Sequence, residues 1–119
     1  MSKENIIRTK SFDFAVRIVK AYQHLTESKR EFVMSKQLLR SGTAIGALVK
    51  EAEQAESKLD FIHKLNIALK EANETSYWLE LLFKTDYFAE QEFTSLQNDC
   101  VELLKLLVSI IKTTKANLK

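Results

Sequence analysis

Apolar residues along this chain recur at alternating three- and four-residue intervals rather than at every second position. That is the period of helices with one buried face. From Phe12, positions Ala15, Ile18, Tyr22 and Leu25 mark a first stripe, and Ser11 just before it predicts an N-cap. Residues 1–10 are polar apart from Ile6 and Ile7, and fraying with local packing of those two is expected there. The pattern stops near Thr26, and Glu27 to Glu31 reads as a polar connection.

A second helix is expected from about Phe32–Ser35 to about Glu56, facing inward with Leu38, Ser41, Ile45, Leu48, Ala52 and Ala55. Half of these are small. Gly42 and Gly46, the chain's only glycines, sit four apart on one face. Each costs about 1 kcal/mol of helix propensity relative to alanine. Their presence reflects either a close approach by a neighbouring backbone or chance.

Ser57 followed by Asp60 is an acidic variant of the capping box, so a third helix should start at about Lys58 and run to about Phe83. Its inward stripe is Phe61, Leu65, Ala68, Ala72, Thr75, Leu79 and Leu82. Tyr77, Trp78 and Leu81 fall partly outside it, as a subunit interface or the margin of a monomer core would require. Lys84 to Ala89 forms the next connection, with Asp86 offering turn chemistry. The last helix carries Phe93, Leu96, Cys100, Leu103, Leu107, Ile110 and Thr114, reinforced by Leu104 and Ile111. Four amphipathic helices with short loops predict an all-α fold, an antiparallel up-down four-helix bundle in one domain spanning 1–119. A helix of about 25 residues is roughly 37 Å long, so the bundle should be a rod.

Composition agrees with this. The absence of proline and the two glycines leave too few turn residues for an all-β chain. A single cysteine forms no intrachain disulfide, and neither a signal-peptide core nor a membrane-length apolar run is present. A soluble cytoplasmic protein is expected. The formal net charge of +2 is small but segregated. Residues 1–50 hold ten Lys/Arg against four Asp/Glu (+6), residues 51–104 four against twelve (−8), and residues 105–119 four against none (+4). Such segregation serves either helix pairing within one subunit or docking of an oppositely charged neighbour.

The run Gln37-Leu38-Leu39-Arg40-Ser41-Gly42-Thr43-Ala44-Ile45-Gly46-Ala47, with Glu51, Ser57, Asp60-Phe61-Ile62, Ile67 to Thr75 and Tyr77-Trp78-Leu79, resembles a known family. It is the four-helix-bundle family encoded within intervening sequences of bacterial 23S ribosomal RNA genes, also labelled S23 ribosomal protein. The resemblance implies a bundle with no established ribosomal role. A related bundle, the accessory variability determinant of diversity-generating retroelements, looks like a pentameric barrel whose basic surface binds nucleic acid and a reverse transcriptase. Self-association as a homopentamer is therefore the assembly that the resemblance implies. Many family members carry Asn where this chain has Leu48 and Gly where it has Ala52, so a polar contact used at that site is missing here.

No catalytic constellation, metal cluster, cofactor motif or phosphate loop is present, and a non-enzymatic module is expected. Arg40 is either a phosphate anchor or one member of a partly buried ion pair with Glu71 or Glu74. Asp60 and His63 share a helical face, but di-iron bundles need several inward carboxylates and two histidine motifs. Cys100 reads as a core thiol. The basic set Arg8, Lys10, Arg17, Lys20, Lys29, Arg30 and Lys36 is either a footprint for RNA or DNA or a solvated face, and lacks interleaved aromatics. The alternative is a protein adaptor whose acidic segment, 51–104, docks a basic partner.

Overall fold

A computed structural model describes residues 2–118. Four helices run α1 (Lys3–Glu27), α2 (Met34–Ala52), α3 (Lys58–Lys84) and α4 (Glu90–Ala116). They form an antiparallel up-down bundle in which α2 packs on α1 and α3, and α4 closes the ring on α3 and α1. The rod measures 51 × 22 × 22 Å. One apolar cluster fills its axis, drawing Ile18, Leu25, Leu38, Ile45, Leu65, Leu79, Leu103 and Leu107 from all four helices. Each such side chain contributes about 1.5–3 kcal/mol on burial. No helix among the described residues is long and apolar enough to cross a membrane.

The third helix begins where the capping box places it. Ser57 adopts an extended backbone and its hydroxyl accepts from the Asp60 N–H at 3.0 Å, while the Asp60 carboxylate accepts from the Glu56 N–H at 3.2 Å.

The first helix departs from expectation. It starts nine residues early, because Ser2 and not Ser11 is the cap: the Ser2 hydroxyl accepts from the Asn5 N–H at 3.2 Å. Residues 3–10 are helical rather than frayed, Ile7 packs into the core, and Ser11 lies inside the helix at 1% exposure with its hydroxyl on the Arg8 carbonyl. The buried stripe is Ile7, Ser11, Phe14, Ile18, Ala21 and Leu25, not the series from Phe12. α1 is apolar on two sides, and the two stripes share Ile18 and Leu25.

The second helix ends at Ala52 instead of Glu56. Beyond it the N–H groups of Glu53, Gln54 and Ala55 each reach back only three residues, so the turn tightens and stops. Val49 is buried and Leu48 half-buried at the core margin, the reverse of the expected order. Phe88, inside the α3–α4 connection, is also core.

Candidate functional site

Three surfaces carry the charged and aromatic residues with functional potential. The first lies across α2 and α3. The Arg40 guanidinium reaches Glu71 at 3.3 Å and also hydrogen-bonds Glu74, whose carboxylate accepts the Trp78 indole N–H at 3.0 Å. The Trp78 and Arg40 donors hold the Glu74 carboxyl below its ordinary range, and Glu74 in turn raises Arg40. The Arg40 side chain is 51% exposed and that of Glu71 is 21% exposed, so the pairing is open to solvent on its arginine side and more covered on its carboxylate side. Tyr77 stands exposed, edge-on to Trp78 with ring centroids 5.0 Å apart.

The second surface is the basic set, which the fold divides. Arg8 pairs with Glu53 at 3.2 Å, Lys10 with Glu102 at 3.2 Å, and Arg17 with Asp99 at 2.6 Å. With Arg40, these pairs join the basic first fifty residues to the acidic middle of the chain. They also engage half of the twelve acids in 51–104, once Lys64–Glu51 is counted. Lys20, Lys29 and Lys36 form no ion pair with another described residue. The Arg30 guanidinium lies over the Phe32 ring, 5.2 Å from its centre. Lys29, Arg30 and Lys36 therefore gather at the α1–α2 turn, together with the exposed Phe32 and Val33.

The third surface is apolar. Phe12, Val16 and Val19, spaced by four and three residues, line the side of α1 opposite its buried stripe, with Phe12 68% exposed. Periodicity alone turns Phe12 inward and misses this outward stripe. Its signal is the doubled apolar periodicity of residues 12–25.

The other candidates resolve simply. Asp60 is occupied as the α3 cap, His63 is exposed, and no cluster of three metal-ligating side chains occurs among the described residues. Cys100 is buried, its thiol donates to the Ala72 carbonyl at 3.3 Å, and burial with the nearby Asp99 charge pushes it up to about 12. Such a thiol is a poor nucleophile. A cleft of about 640 Å³ opens at the bundle end between Arg8, Glu53, Lys58, Phe61, Thr114 and Asn117. Both of its cations are engaged, Arg8 by Glu53 and Lys58 by the Asn117 carbonyl at 2.9 Å.

The family model described as 23S rRNA-intervening sequence protein matches residues 3–109. A crystal structure of a protein of unknown function from the S23 ribosomal protein family, from Bacteroides thetaiotaomicron VPI-5482, is 60% identical to this chain. The match covers 93% of this chain and 99% of that one, with a TM-score of 0.92. No curated protein matches.

Proposed function

This chain belongs to the 23S rRNA-intervening sequence protein family, and on that premise we propose that it is a non-enzymatic assembly module that associates with copies of itself and contacts nucleic acid through its remaining basic surface. The outward stripe of Phe12, Val16 and Val19 carries the assembly reading. Exposed apolar side chains gathered on one helical face mark protein-binding surfaces. A closed ring of five copies is the form that the resemblance to the retroelement accessory bundle favours.

Light scattering on the purified protein at micromolar concentration tests this. A multiple of the 13.7 kDa chain is expected, five being the favoured number. Phe12→Glu should reduce that mass to a single chain while helicity is kept. A wild-type monomer overturns the assembly.

The nucleic-acid reading rests on Lys20, Lys29, Arg30 and Lys36, the members of the basic set that form no ion pair with another described residue. Affinity for RNA or DNA should fall steeply with salt, because each phosphate neutralised releases counterions. Absence of binding at low salt removes this role.

A further inference from the structure

The α1–α2 turn holds cations and an exposed ring together. Across residues 27–37, Lys29, Arg30 and Lys36 face solvent against one exposed acid, Glu27. The other acid, Glu31, is 7% exposed. Its carboxylate is turned onto the backbone N–H groups of Val33, Met34 and Ser35 at 3.1, 3.0 and 2.7 Å. It therefore does little to neutralise the outer side of the turn. Phe32 is 48% exposed, Val33 is 74% exposed, and the Arg30 guanidinium lies over the Phe32 ring.

The turn is also held in place. Arg30 has a left-handed backbone with φ 57°, a conformation that glycine adopts more readily. It is held there as the Lys29 N–H reaches the His24 carbonyl at 3.2 Å and the Glu31 N–H reaches Leu25 at 2.9 Å. An arginine kept at a strained backbone position, with its guanidinium 5.2 Å from the centre of an exposed ring, sets a cation and an aromatic face side by side.

We propose that this turn is a contact for single-stranded nucleic acid, an unpaired base stacking on the Arg30–Phe32 pair while Lys29 and Lys36 hold the flanking phosphates. The proposal rests on the nucleic-acid part of the proposed function and narrows it to one end of the rod. Stacking on an aromatic or guanidinium plane needs a base free of its partner, which a duplex withholds.

Fluorescence anisotropy with a short labelled RNA strand of mixed sequence, its DNA equivalent and the corresponding duplexes tests it, with anionic phosphatidylserine vesicles as a further arm. Single strands should bind more tightly than duplexes. Phe32→Ala should weaken binding about tenfold or more, and Phe32→Tyr, which keeps a ring, should restore it. Lys29→Gln with Lys36→Gln should lower the salt slope by about 0.7 for each phosphate that is no longer neutralised. Duplex binding as tight as single-strand binding overturns the proposal, as does binding to vesicles alone. Strand binding that ignores the turn substitutions but falls with Lys20→Gln also overturns it, while leaving the broader basic-surface reading intact. No strand binding at low salt removes both.

Discussion

A methyl group placed on Gly42 would stand 2.8 Å from Cγ1 of Ile18 and 2.9 Å from its Cγ2. Those atoms sit at the branch of a fully buried side chain on α1, so the side chain has little freedom to swing aside. At Gly46 the same addition would meet the Ser11 carbonyl oxygen at 3.2 Å. The two glycines let α1 lie against α2 at this seam. Gly42→Ala should therefore destabilise by up to about 2 kcal/mol, the overpacking cost of about 1–3 kcal/mol less a propensity gain of about 1 kcal/mol. Urea unfolding measures it, and a stabilised Gly42→Ala protein would contradict the close approach.

Glu31 caps α2, whose start has no side-chain cap of its own. Burial pushes its carboxyl up, but the N–H groups of Ser35, Met34 and Val33 and the Ser35 hydroxyl outweigh that, and its pKa is lowered overall. A carboxylate with a depressed folded-state pKa adds stability above its unfolded value of about 4.3, and that stability is lost as pH falls through the folded value. Glu31→Gln should cost about 1–2 kcal/mol at neutral pH and less at acid pH. Melting temperatures from neutral pH down into the acid range test this, and parallel curves for the two proteins would refute the cap.

Arg40 and Glu74 should couple weakly. A half-exposed ion pair is worth about 0–1 kcal/mol, well short of the cost of about 3–5 kcal/mol for breaking a buried pair. A double-mutant cycle with Arg40→Ala and Glu74→Ala should return a coupling of about 1 kcal/mol or less. A value several times larger would show that the pair is shielded from water.

Cys100 should resist alkylation until the bundle opens. Its thiol is buried against the Ala72 carbonyl with a pKa of about 12, so little thiolate forms at neutral or mildly alkaline pH. Labelling rates should rise with urea in parallel with global unfolding. Rapid labelling of the folded protein would place the thiol outside the core.

Asp86 closes α3 in a left-handed conformation, φ 72°, with the Tyr87 N–H on the Leu82 carbonyl at 2.9 Å and its own N–H on Phe83 at 3.1 Å. That is the hydrogen-bond pattern of a Schellman cap, where glycine carries no side-chain clash. Asp86→Gly should stabilise by roughly 0.5–1 kcal/mol, the relief of strain exceeding the added unfolded-state freedom. A destabilised Asp86→Gly would mean that the aspartate side chain supports the turn.

The helical count, the direction of each helix and the start of α3 are legible in the sequence, because they rest on local chemistry. Ser57 and Asp60 complete their cap within four residues, and the α4 stripe at Leu96, Cys100, Leu103 and Leu107 is buried where its period places it. What turns inward on α1 is not local. Phe12 and Phe14 are both apolar and helical, and they point to different sides of the same helix. The packing of α1 on α2 and α4 decides between them, and the glycines of α2 admit Ser11 and Ile18 where a bulkier face could not approach. Charge follows the same division. The sequence displays a basic first part and an acidic middle, whereas the bundle determines which of those charges meet each other and which stay free at the α1–α2 turn. Periodicity depends on a residue's chain neighbours, but burial and pairing depend on surfaces that come together only after the helices have packed.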